Sequence, residues 1–153
     1  VLETPHVVVG AAIATKVVNP VLALPLSFAS HFVLEKIPHW NPHLNTEVKK
    51  HGKPTRQSTY IVILDAAIAL TTGVYIASRA LPNINHVVVI LAASFFAVLP
   101  DVVEAPYFFL NIRNLYIKKW IALQKSLQVD SEVLPGLITQ AIVILASFWW
   151  IAD

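Results

Sequence analysis

The sequence predicts an all-α fold: an integral membrane helical bundle with four or five apolar helices and one amphipathic helix at its surface. Three observations predict it. The 153 residues are 56% apolar and 13% charged, with a mean hydropathy of +0.65. A soluble domain carries about 25% charged residues, so most faces of most elements here do not meet water. The apolar residues also fall into five runs whose ends are punctuated by proline. No linker divides these runs, so residues 1–153 read as a single transmembrane helical domain.

The first run, PHVVVGAAIATKVV, covers residues 5–18, with Thr4 as expected N-cap and Pro5 at the first helical position. It reaches about 21 Å at helical rise, short of a bilayer core of about 30 Å, so full spanning stays open. The second run, residues 20–37, follows Asn19-Pro20 at once and makes a tight helical hairpin with the first. The third, residues 58–80, is long enough to span. The fourth, residues 86–110, carries Pro100 and Pro106, which should kink or stop it. The fifth, residues 133–152, ends with Trp149 and Trp150 as interface anchors. Between the last two, Leu115, Trp120, Ile121 and Leu127 alternate with Lys118, Lys119 and Lys125. That pattern predicts an amphipathic helix on the membrane surface, with membrane lipids as neighbours and anionic headgroups along the basic stretch 113–125.

Nine lysines and arginines border the 2–3 and 4–5 connections, whereas Lys16 and Arg79 lie at the opposite ends. This bias predicts cytoplasmic basic loops in a bacterial-type inner membrane. The first run lacks a basic lead-in, so no cleavable signal peptide is expected. The net charge of +2 gives no reason to expect nucleic acid as a partner. Cysteine is absent, which removes disulfides and thiolate metal sites. No P-loop, GxGxxG, HExxH or GxSxG motif occurs.

The informative residues are the ionisable ones inside the apolar runs. His6, His31, Glu35, Asp65, Asp101 and Glu104 come from four runs. The predicted topology puts all six in one half of the bilayer, with Asp65 about 10 Å deep by helical rise. Such groups are costly in lipid and face a bundle interior, a partner or a cavity. His31 and Glu35 share a helix face at i, i+4, and Asp101 and Glu104 can do so at i, i+3. Imidazoles with carboxylates suit a divalent metal ion, zinc or manganese foremost. His6, His31, Asp65 and Asp101 are the expected metal ligands. Glu35 and Glu104 are the expected catalytic carboxylates, as general base or further ligand. His39 and His43, in PHWNPH, read as solvated interface-loop residues, with auxiliary metal ligation as the alternative; His51 reads as a loop residue, and His86 starts a helix at the far end.

TPHVVVGAAI and SHFVLEKIPHW also carry a resemblance. They resemble a family of small inner-membrane proteins described as metal-dependent hydrolases, at Thr4, His6, Gly10, Ser30, His31 and Glu35. LPDVVEAPYFF, with Asp101 and Glu104, is similar to a proline-bounded acidic segment of related membrane proteins. The family's Pro-Asp-x-Asp-His motif is absent, and Glu35 stands where aspartate is commoner. The resemblance implies a metal-dependent hydrolase, and the apolar setting implies a lipid-linked or amphipathic substrate, such as a phosphoester. Two other readings stay open. One is a non-catalytic accessory subunit of a larger membrane complex, its acids paired with a partner's cations or His31. The other is proton or ion transfer through Asp65 and the 101–104 acids.

Overall fold

A computed structural model describes residues 1–153 as seven helices joined by short connections. They are α1 (Glu3–Lys16), α2 (Pro20–Leu34), α3 (Leu44–His51), α4 (Arg56–Ser78), α5 (Ile84–Phe109), α6 (Leu115–Leu127) and α7 (Val133–Ala152). No strand forms, and the one isolated β-bridge pairs His39 with Asp130. Three helices, α4, α5 and α7, are long and apolar enough to cross a membrane. Of the four or five apolar helices expected, these three are long enough to span, while α2 is apolar but only 15 residues long and α1 has 14. The chain is built as a membrane protein, with Leu64, Leu70, Leu134 and Leu145 turned outward from its bundle.

The short helix α1 is the centre of the bundle and packs on α2, α4, α5 and α7. Its small residues allow this. Gly10 lies so close to α5 that a Cβ there would sit 2.7 Å from the Ala93 carbonyl oxygen and from Ala97 Cβ. Val8, Ala11 and Ala14 of α1 join Ala23, Ile76, Ala77, Ile90 and Ala93 in a dry core at one end of the bundle. The α1–α2 connection is as tight as Asn19-Pro20 predicts, and Asn19 caps α2 by accepting from the Val21 amide at 3.0 Å.

Thr4 does not cap α1, as the sequence had suggested. Asp65 of α4 does so from across the bundle, accepting from the amides of Glu3 and Thr4 and from the Thr4 hydroxyl. A carboxylate at a helix N-terminus satisfies orphan N–H groups and complements the helix dipole. Nor does α5 stop at its prolines: it runs through Pro100 and Pro106 to Phe109. The Pro100 carbonyl gains a donor in the Trp120 indole at 3.0 Å, and the Ala97 carbonyl meets His31 at 2.9 Å.

Two amphipathic elements close the other end of the bundle. Helix α6 forms where its apolar–basic alternation predicts, with Ile121 and Gln124 buried. Helix α3 was not anticipated. It ends at Gly52, whose φ of +78° is the left-handed conformation glycine adopts at low cost. Glu47 fastens α3 to the start of α4, accepting from Ser58 Oγ at 2.6 Å and the Thr55 amide at 2.7 Å. Burial pushes the Glu47 carboxyl up, but these donors outweigh it and hold the group below its ordinary value.

Candidate metal centre

The packing of α1, α2 and α5 brings His6, His31 and Asp101 together. Each offers one ligand atom, and these atoms all lie within 4.8 Å of one another. The imidazoles of His6 and His31 stack with centroids 4.1 Å apart. Both histidines have no exposed surface. His31 Nε2 lies 3.7 Å from Asp101 Oδ1, too long for a direct hydrogen bond.

The surrounding contacts decide which atoms are free. His31 Nδ1 faces the Ala97 carbonyl at 2.9 Å and Nε2 faces the Gln124 side-chain oxygen at 2.9 Å, so a cation on Nε2 would have to displace the Gln124 contact. A histidine that ligates a metal characteristically donates its other N–H to such an acceptor. His6 Nε2 lies 3.3 Å from Glu35 Oε1, an acceptor, so Nε2 carries the proton there. His6 Nδ1 then keeps its lone pair, and it is buried without a partner. An unsatisfied buried nitrogen is costly, and a metal ion removes that cost. The donor set therefore fits a borderline divalent cation.

Gln124, not among the expected site residues, completes the cluster. Its amide nitrogen donates to Asp101 Oδ1 at 3.1 Å and to Glu104 Oε1 at 3.0 Å. Its oxygen faces His31 Nε2 at 2.9 Å. One side chain of α6 thus ties two acids of α5 to a histidine of α2. Its signal in the sequence was a polar residue three positions from Ile121, on the apolar side of an amphipathic helix. Glu3 was missed as well. It is half-buried, with Oε2 lacking a partner, and stands three residues before His6.

The remaining expected residues fall in three places. Asp65, expected as a ligand, is instead occupied by the start of α1 and stands outside the His6–His31–Asp101 group. Glu104 lines a cavity beside Asp101. Glu35 lies behind His6, is 1% exposed, and accepts from the Val1 backbone nitrogen at 2.7 Å as well as facing His6. It does not line that cavity.

His39 overturns its reading as a solvated loop residue. It is 1% exposed, because the chain after α2 folds inward and pairs with the 129–131 segment. Its amide donates to the Val129 carbonyl, and the Ser131 amide donates to its carbonyl at 2.8 Å. Burial pushes its imidazole below the ordinary value. His43 and His51 are exposed as expected, and His86 reaches the Ala14 carbonyl at 3.0 Å at the opposite end.

No family model, curated protein or solved structure matches this chain. The functional reading therefore stands on the site itself. A cavity of about 460 Å³ opens beside Asp101 and Glu104 and continues along α4 and α5 past Ala69, Gly73, Phe95 and Val98. Its volume is within the range that accommodates small-molecule ligands, about 300–1,000 Å³. Its walls along α4 and α5 are apolar, whereas Asp101, Glu104, Asn45, Gln124 and Lys125 make other parts of the lining polar.

Proposed function

We propose that this chain is a membrane-embedded, metal-dependent hydrolase that acts on a lipid-linked or amphipathic substrate, a phosphoester above all. The observation that carries the reading is the His6–His31–Asp101 group, two buried imidazoles and a carboxylate that itself lines a half-apolar cavity. A bound divalent cation would supply Lewis-acid polarisation of a phosphoryl or carbonyl oxygen.

The chain's own residues would do the rest. His6, His31 and Asp101 hold the cation. Glu35 fixes the His6 ring through Nε2, and the Ala97 carbonyl fixes His31 through Nδ1. Gln124 holds Asp101 and Glu104 on a single amide donor, which sets their spacing. Glu104 faces the cavity and is placed to accept a proton from an attacking water. The apolar walls of α4 and α5 take the hydrocarbon part of the substrate and keep bulk water from the reacting end.

The same reading places the basic connections on the cytoplasmic side of an inner membrane. Exposed Lys118, Lys119 and Lys125 of α6 would then meet anionic headgroups.

The test is elemental analysis of purified protein. His31→Ala should lose the bound metal, and an unchanged metal content would overturn the proposal. Glu104→Gln should retain the metal but lose at least tenfold in turnover of a phospholipid analogue, within the usual size of general-base catalysis of about 10²–10⁴-fold. A non-catalytic subunit role draws support from α7, whose Leu134, Leu145 and Trp149 face outward. A stoichiometric membrane partner co-purifying with metal-free protein would favour that role.

A further inference from the structure

We infer that a second divalent cation binds between Glu35 and His39, on the far side of His6 from the cavity. His39 Nδ1 faces the Ile37 carbonyl at 2.7 Å and donates to it. The lone pair of the ring is therefore on Nε2. That atom points at Glu35 Oε2, 3.7 Å away. Neither atom has a hydrogen-bond partner, and both residues are only 1% exposed. Two buried acceptors thus face each other with no donor between them. Left so, each carries the full cost of an unsatisfied buried polar group.

The gap fits a metal ion. Zinc lies about 2.0–2.2 Å from imidazole nitrogen and carboxylate oxygen, so it bridges such a gap at an N–Zn–O angle of about 125°, close to tetrahedral. Local charge favours the same occupant. Glu3, Glu35, Asp65, Asp101 and Glu104 bring five carboxyl groups to this end of the bundle, where no lysine or arginine pairs with any of them and the Val1 ammonium, 2.7 Å from Glu35 Oε1, is the one fixed cation. Asp65 is compensated by the α1 amides, but the remaining acids outnumber the donors at hand. Carboxylates buried in a bundle need a cation or a proton.

Glu35 also links the two positions. Oε1 orients His6, which belongs to the first group, while Oε2 faces His39. Glu35 reaches the first position only through the His6 ring, so the two cations would share no ligand. The second position goes beyond the hydrolase proposal, because Glu35 and His39 would hold their cation whether or not the chain turns over a substrate.

The experiment uses full-length protein in lipid nanodiscs, stripped with chelator and titrated with Zn²⁺ alone, with bound metal counted by mass spectrometry. Wild type should bind two equivalents. His39→Gln and Glu35→Gln should each bind one with unchanged helicity, and His31→Ala should retain one. If one of the first pair fails to fold, the other carries the test. His39→Gln or Glu35→Gln binding two equivalents would overturn the inference and leave Glu35–His39 as an ordinary charge pair. A single wild-type equivalent, lost in His31→Ala and kept in His39→Gln, would also overturn it while leaving the hydrolase proposal intact. A single equivalent with the reverse pattern would support the second position and remove the first. Binding to neither would sink both.

Discussion

Gln124 shows how much one amide can carry. It donates to two half-buried carboxylates and faces a buried imidazole, so its removal leaves three polar groups short of a partner at once. Gln124→Ala should destabilise the protein by about 1–3 kcal/mol for each group left unsatisfied, discounted for relaxation. Gln124→Glu keeps the shape but replaces the amide donor with a third carboxylate beside Asp101 and Glu104. In the metal-free protein it should be the more damaging change, read as the lower melting temperature in detergent. Gly10 sets a different constraint. Gly10→Ala places a Cβ against backbone that cannot swing aside, and overpacking of this kind costs about 1–3 kcal/mol. Because the Ala97 carbonyl also anchors His31, the same change should weaken zinc binding. A Gly10→Ala protein with wild-type zinc affinity and melting temperature would refute the close approach of α1 to α5.

At the scale of elements, the α3–α4 junction is held by a single carboxylate. The Glu47 carboxyl is held below its ordinary value, so the stabilisation it gives is present above the unfolded carboxylate value, about 4.3, and is lost as pH falls through the lower folded value. Hydrogen exchange in residues 44–56 should accelerate over that acid range, and Glu47→Gln should flatten the pH dependence. No acid response in wild type would show that the junction does not depend on this group.

Helix α3 also marks where sequence reading ran short. LNTEVKKH is only 8 residues long and polar, so hydropathy gives it no signal, and its cap is a single glycine at its far end. The long apolar helices were legible because 18 or more apolar residues have few other uses. The His6–His31–Asp101 group was legible because ionisable residues in apolar runs must find company. His39 and Gln124 were not, because their burial is created by chain segments far away in sequence: the 129–131 strand-like stretch and the closure of α6. Asp65 was legible as a polar group inside the bundle, but nothing local shows that a helix N-terminus meets it.

For the whole molecule, α4 and α5 form a hairpin whose open end is tied by Arg113, which donates to the Gly52 carbonyl at 2.8 Å. Residues 53 and 119 should therefore lie on one side of the membrane and residue 79 on the other. The chain has no cysteine, so Lys53→Cys, Lys119→Cys and Arg79→Cys each introduce one unique label. In oriented vesicles the first two should react with an impermeant maleimide from the same side, and Arg79→Cys from the opposite side. Labelling of all three from one side would rule out the spanning arrangement.

The cross-bundle cap on α1 bears on biogenesis. Residues 3 and 65 are 62 positions apart, yet the amide of the first ends on the carboxylate of the second. During synthesis the N-terminal segment emerges long before its cap exists, and short helices are marginal until something completes their ends. Helix α1 should therefore dock only after α4, which is translated later, enters the lipid. A nascent chain stalled with α4 still in the ribosomal tunnel should leave residues 1–20 exposed to protease, and release of α4 should protect them.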